Sequence, residues 1–291
     1  MHYKVTHSTV YQYNEPVSLC HNLALLKPRS TATQICHKTQ LDITPLPDII
    51  NEYEDFFGNK ATYFAIQQEH KKLVVTVTSF IENTNTRAIL FNFFESVAWE
   101  ETKKHIADPM PENAEIRQYI AETPMTTYNE DIKAYALASF TPGRALFDSA
   151  NDLMQRIYAD FRYTPGFTTI ATPVADVMKR RRGVCQDFAH LAIACIRSLG
   201  LPARYVSGYI ETVPEGGAPK LTGADASHAW FSIFIPGTGW VDFDPTNNQI
   251  PSFQHITIAW GRDYTDVTPL KGVILSSGKH KLDVAVSVTR M

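Results

Sequence analysis

The run Arg182-Gly183-Val184-Cys185-Gln186-Asp187-Phe188-Ala189-His190-Leu191-Ala192-Ile193-Ala194-Cys195-Ile196-Arg197-Ser198-Leu199-Gly200-Leu201-Pro202 decides how the rest of the chain is read. Phe188, Leu191, Ala192, Cys195 and Leu199 recur at helical spacing on one face, and Gly200 followed by Pro202 supplies a C-terminal stop. A helix from Cys185 to Leu199 puts Cys185 in its first turn. A thiol attacks a carbonyl as the thiolate, and a free cysteine with a pKa of about 8.5 is mostly protonated at neutral pH. Unpaired N–H groups and the positive dipole end at a helix start stabilise an anion, with the basic residues Lys179 to Arg182 just upstream. The same N–H groups can receive a developing oxyanion. Gly183 lets the chain turn into the helix without a Cβ clash. On residue type alone a cysteine is more often packing, and Cys195, on the apolar stripe, keeps that assignment. Cys185 differs because it precedes the stripe, follows Gly183 and is flanked by polar Gln186 and Asp187.

Downstream, three strand candidates run from Arg204 to Thr212, Ser227 to Ile235 and Trp240 to Asp244, the last two joined by Pro236-Gly237-Thr238-Gly239. This is a helix packed on an antiparallel sheet. A thiolate nucleophile needs a base held by a third polar group, and of the ten histidines His228 stands out, at the start of a strand in Ala226-Ser227-His228-Ala229-Trp230. In a hairpin with Trp230 opposite Asp244, His228 lies diagonal to Asp244 on one face. Diagonal residues start about 7–8 Å apart, a gap these side chains close. Asp244 can then hold the imidazole tautomer. Asp242 shares its parity but lies farther from His228 in that register. In isolation, Asp244-Pro245-Thr246 reads as a turn starter. His190, more than a turn along the helix from Cys185, is a rival base to which a structural polar role is assigned.

Upstream, period-two stretches at Tyr3-Val5-His7, Leu41-Ile43 and Leu73-Val75-Val77-Ser79, separated by turn signals, predict a β-rich N-terminal domain over residues 1–100. Prolines 109, 111, 124 and 142 bracket a connector over 101–145, with a helix expected between Asn113 and Glu122. Leu146, Ala150, Leu153, Ile157 and Phe161 mark an amphipathic helix opening the core, 146–265. Leu282, Val284, Val286 and Val288 alternate in the final segment, 266–291, which is expected to return as closing strands and pair with the N-terminal domain.

The length of 291 residues fits two domains at roughly 150 residues each. A formal net charge of −3 excludes a global field for nucleic acid or an anionic membrane, and the short basic run at 179–182 reads as a solvated helix end. The first residues lack an apolar signal core, so a cytoplasmic location is expected. Cys20, Cys36, Cys185 and Cys195, with no C-x-x-C pair, read as reduced thiols. No metal-ligand spacing or phosphate-binding loop calls for a cofactor.

Together Arg182 to His190, Gly200-Leu201-Pro202-Ala203-Arg204-Tyr205-Val206-Ser207-Gly208-Tyr209, Ser227-His228-Ala229-Trp230 and Gly239-Trp240-Val241-Asp242-Phe243-Asp244-Pro245-Thr246 resemble the bacterial transglutaminase-like family. Phe161 to Gly166 and Gly261 to Tyr264 are also similar, and Tyr3 to His7 with Asp55 to Asn59 resemble its accompanying β-rich domain. The resemblance implies an α+β, papain-like cysteine-enzyme core. It makes Cys185 the nucleophile, His228 the general base and acid, and Asp244 the orienting carboxylate, with no metal or other cofactor. Tyr163, Gln186, Tyr209 and Trp230 are expected to line the cleft, with core packing the alternative for the aromatics. Three functions stay open: a cysteine peptidase or other amide hydrolase working through a thioester, an acyl transferase joining glutamine to an amine, and a non-catalytic peptide-binding module. The expected partner is a peptide or protein amide, not nucleic acid or membrane.

Overall fold

The computed structural model describes residues 1–84, 97–108, 110–212 and 227–291, the side chains of Pro111 and Glu112 excepted; Pro109 and Ala226 lie outside these residues. Its first six strands are β1 (His2–Val17), β2 (Leu19–Ala24), β3 (Gln34–Thr44), β4 (Ile49–Glu54), β5 (Lys60–Ile66) and β6 (His70–Asn83). Then come helices α1 (Trp99–Ala107), α2 (Pro111–Arg117), α3 (Glu130–Leu137) and α4 (Leu146–Asp160), the two-residue strand β7 (Arg162–Tyr163), α5 (Val174–Arg180), the two-residue β8 (Arg182–Gly183) and α6 (Cys185–Ser198). The chain ends with strands β9 (Ala203–Ile210), β10 (Ser227–Ile235), β11 (Gly239–Phe243), β12 (His255–Gly261), β13 (Leu270–Leu275) and β14 (His280–Arg290). Among the described residues no helix is long and apolar enough to cross a membrane.

Alternation in the first strand puts Tyr3, Val5, His7 and Thr9 on one buried face of a sheet ordered β14-β1-β6-β3. A second sheet, β13-β2-β5-β4, faces part of it. Tyr13, Val17, Phe64, Leu73, Val75 and Val77 fill the space between them. The terminal strand pairs antiparallel with β1, Val5 opposite Val288 and Tyr11 opposite Leu282. Further along the same inner face, Tyr3, Val5, Ile81, Val286 and Val288 leave the sandwich and join the helical core. One sheet therefore serves two cores, and the stretch between them is the part left open.

The helical core surrounds α6, packed between the β11-β10-β9-β12 sheet and helices α3, α4 and α5. Every residue from Asp187 to Arg197 is buried, which corrects the single-stripe expectation. Ile193, Ala194 and Ile196 carry the apolar surface around the whole circumference, as a central helix requires. Gly200, at φ +79°, ends it as the Gly-Leu-Pro run predicts. The helix expected over 113–122 forms instead at Pro111–Arg117, and α1, α3 and β12 were not anticipated.

A sheet edge leaves unpaired backbone groups that need covering, and β12 is such an edge. Three amides from the N-terminal strands and loops cover it. Gln34 Nε2 donates to Thr257 O at 2.8 Å and its Oε1 accepts from Thr257 N at 2.9 Å. Asn59 does the same to Trp260, at 2.9 and 3.0 Å. Asn83 Nδ2 donates to His255 O at 2.9 Å and Phe253 O at 3.1 Å. Beside them Arg29 stacks 3.5 Å over Trp260, whose ring also meets Arg204 at 3.9 Å.

Candidate active site

Cys185 is the first residue of α6, half-buried, with Val184 as the extended residue before it. The first N–H groups of a helix have no intrahelical acceptor. The turn into the helix is held by Asp187, whose Oδ2 accepts from Val184 N at 2.8 Å and Thr168 Oγ1 at 2.6 Å. Burial raises the Asp187 pKa, and those donors oppose the shift. A Cβ on Gly183 would lie 2.8 Å from the Asp187 side chain, so glycine is needed for this close approach. The three arginines just upstream are engaged elsewhere. Arg180 pairs with Asp176 at 3.9 Å, Arg181 with Asp160 at 3.8 Å, and Arg182 sits over Phe167.

On β10 and β11, Phe231 faces Phe243 and Ser232 faces Asp242, the register that sets Trp230 against Asp244. His228 Nε2 lies 2.7 Å from Asp244 Oδ2, and Cys185 lies near enough to the ring to raise its pKa. With Nε2 committed to the carboxylate, Nδ1 is the ring nitrogen left for the sulfur. Asp242 makes no such contact in this register. His190 is buried at 4 % exposure and accepts the Tyr264 N–H at 3.2 Å, well occupied in a structural bond.

Asp244 is completely buried and serves the turn and the imidazole together. Oδ1 accepts from Thr246 N at 3.0 Å and Asn247 N at 3.3 Å, closing the Asp-Pro-Thr turn. Oδ2 accepts from His228, from Asn247 Nδ2 at 2.7 Å and from His255 Nε2 at 3.0 Å. Burial alone would raise this carboxyl's pKa, but the hydrogen bonds from His228 and His255 hold it well below the usual range. Burial likewise works against a charged His228, yet Asp244 and Cys185 lift its pKa to about 10.

His255 and Asn247 were missed in the sequence. The alternation His255-Ile256-Thr257-Ile258 is a strand signal that would have placed His255, but nothing local ties it to Asp244. His228, Asp244 and His255 bring ligand atoms within 4.8 Å of one another, as a metal site would. The Asn247 amide nitrogen, 2.7 Å from Asp244 Oδ2 and 3.2 Å from His228 Nε2, already directs hydrogens into that space. The trio fits a hydrogen-bonded carboxylate better than a cation.

Cys185, Gln186 and His228 line one open cleft of about 250 Å³ with His7, Thr9 and Tyr11 of β1 and Leu282 and Val284 of β14. Gln186 is among the residues lining that cleft. Tyr209 is not: it is buried at 3 % exposure, its hydroxyl 2.7 Å from His7 Nδ1. Trp230 is fully buried, edge-on to His255 at 5.2 Å, and lines a separate small cavity with Gln34 and Asn83. It shares the sheet face of His228, but further along the strand, where the N-terminal amides cover that face. Tyr163 is half exposed and packs against Phe188 at 6.5 Å, outside the cleft lining.

Residues 3–82 match the family model of the bacterial transglutaminase-like N-terminal region, and residues 133–245 match that of the transglutaminase-like superfamily. An uncharacterized protein of Mycobacterium tuberculosis is 37 % identical over 291 residues, covering 98 % of this chain and 92 % of that protein. A protein-glutamine gamma-glutamyltransferase of Pseudomonas aeruginosa is 37 % identical over 73 residues, 24 % of this chain and 11 % of that one. A crystal structure described as a candidate cysteine protease from Cytophaga hutchinsonii superposes with a TM-score of 0.76 at 21 % identity, covering 99 % of this chain and 90 % of that one. The chain belongs to the transglutaminase-like superfamily, with its core fold and the strand-rich bacterial N-terminal region.

Proposed function

We propose that the protein is a cysteine-dependent amide hydrolase, a peptidase acting through a thioester, with Cys185, His228 and Asp244 as its triad. The observation that carries this reading is His228, hydrogen-bonded to Asp244 at 2.7 Å and lining one open cleft together with Cys185. The forward step starts with the proton already on His228 Nδ1, and the sulfur bonds to the amide carbon. The C–N bond then breaks and the imidazolium returns the proton to the leaving amine. Water follows, its proton passing to His228 as its oxygen displaces the sulfur. Asp244 stays ionised throughout and keeps the imidazole aligned. The first N–H groups of α6, with Gln186 beside them, are the donors placed for the oxyanion.

Intact-mass measurement after incubation with a mixed peptide and cell-wall fragment library tests this. An acyl adduct at Cys185 is expected in the native protein and none in Cys185→Ala. Turnover that persists in Cys185→Ala would end the assignment. The alanine variant should lose essentially all activity, at least ~10³-fold, because no other group supplies the nucleophile.

Transfer to an amine is the second reading, favoured by the segment shared with the Pseudomonas aeruginosa glutamyltransferase. It uses the same thioester and differs only in what resolves it. Amide product formed at saturating primary amine supports transfer, and hydrolysis alone under that condition supports the peptidase.

A further inference from the structure

We infer that the cleft beside Cys185 contains an apolar specificity subsite, built from Tyr11, Leu270, Leu282 and Val284, that selects an uncharged apolar side chain next to the scissile amide. The inference deepens the proposed function and rests on it. On the inner face of the first sheet, Val5, His7, Thr9 and Tyr11 stand opposite Val288, Val286, Val284 and Leu282. The catalytic core covers one end of this row, leaving Val286 and Val288 at 1 % and 0 % exposure. Leu282 and Val284 continue the same row but remain 48 % and 52 % exposed, where the sheet passes over Cys185 and His228. Apolar side chains left uncovered on an edge strand are a liability for association, so their retention here calls for a guest.

The cleft lining identifies that guest. Among the described residues it holds no Asp, Glu, Lys or Arg. A charged side chain entering it would lose hydration without gaining a partner. The one imidazole in that lining besides His228 is His7, both of whose nitrogens are taken, by Tyr209 OH at 2.7 Å and Thr9 Oγ1 at 3.0 Å. Lys281 and Asp283, on the opposite face of β14, pair with each other at 3.0 Å. The volume of about 250 Å³ falls below the ~300–1,000 Å³ of clefts that engulf a whole drug-sized ligand. It suits one side chain. Its continuity with Cys185 and His228 makes that side chain the substrate's own.

Dipeptidyl chloromethyl ketones test this, with Leu, Phe, Glu or Lys at the residue bearing the ketone or at the one before it. The sulfur displaces chloride, forming a C–S bond as the C–Cl bond breaks, and intact mass with peptide mapping gives the rate at Cys185. Leu and Phe probes should react at least about tenfold faster than Glu and Lys probes at one of the two positions. The double variant Leu282→Asp/Val284→Asp should erase that ratio or turn it towards Lys. If it does not fold, Val284→Thr, close in shape but polar, should reduce the ratio several-fold. Equal rates across the series, or a ratio unmoved by these variants, overturns the subsite. So does a variant that only converts a dimer to a monomer. No adduct with any probe sinks the proposed function itself.

Discussion

Among the described residues, Asp244 accepts five hydrogen bonds, and two of them come from imidazoles. An amide in its place would present an NH₂ to donors that have no other acceptor, and the His228 tautomer would reverse. Asp244→Asn should therefore slow acylation of Cys185 by ~10³–10⁴-fold, the range seen when a triad's orienting carboxylate becomes an amide. The same pair leaves a mark on stability. The pKa of His228 is raised from 6.5 unfolded to about 10 folded, so its contribution is complete below pH 6.5 and lost as pH climbs to about 10. Urea unfolding of the native protein should show stability falling across that window. In Asp244→Asn the decline should be shallower, and an unchanged slope would separate His228 protonation from the carboxylate.

β12 is where the sandwich reaches the site, because His255 lies on it and Asn83 holds its carbonyl. Removing the Asn83 amide strips donors from His255 O and Phe253 O, with a cost of ~1–3 kcal/mol for buried acceptors left unmet. Asn83→Ala should lower the melting temperature by a few degrees. It should also slow Cys185 acylation more than a substitution of equal thermal cost on the distant β4 strand does. Equal slowing in both would mean that β12 affects only stability. What the sequence showed and hid divides along the same line. Cys185 at a helix start was legible because Gly183, the apolar spacing and Gly200 are all local, and the His228–Asp244 register was legible because a short turn sets it. His255 and the amides of Gln34, Asn59 and Asn83 were not, since each acts on a strand over 170 residues away or on a carboxylate in another segment. Trp230 was misplaced for a related reason. Parity gave its face, but only the packed sandwich shows that this face is covered.

The two cores meet through β1, and each side of that junction holds a buried neutral histidine. His7 sits between Tyr209 and Thr9, and His190 lies against Tyr205, with Asp263 and Arg197 the charges that act on it. Burial lowers both pKa values from 6.5 to about 4, although Asp263 pulls His190 the other way. Between those values the unfolded chain binds more protons than the folded one, so stability rises with pH through the window and falls on acidification from about 6.5 to about 4. Each ring should contribute on the order of 2–3 kcal/mol to that loss. His228 is protonated in the folded state throughout this range, and in the unfolded chain it loses its proton only near the upper end, which keeps the acid limb largely separate from the alkaline one. His7→Asn and His190→Gln should each be less stable at pH 7 yet lose less on acidification, and the double variant should be nearly flat. Urea midpoints at pH 4.5, 5.5 and 6.5 decide it. A double variant that loses stability as steeply as the native protein would show that acid unfolds this molecule through other groups.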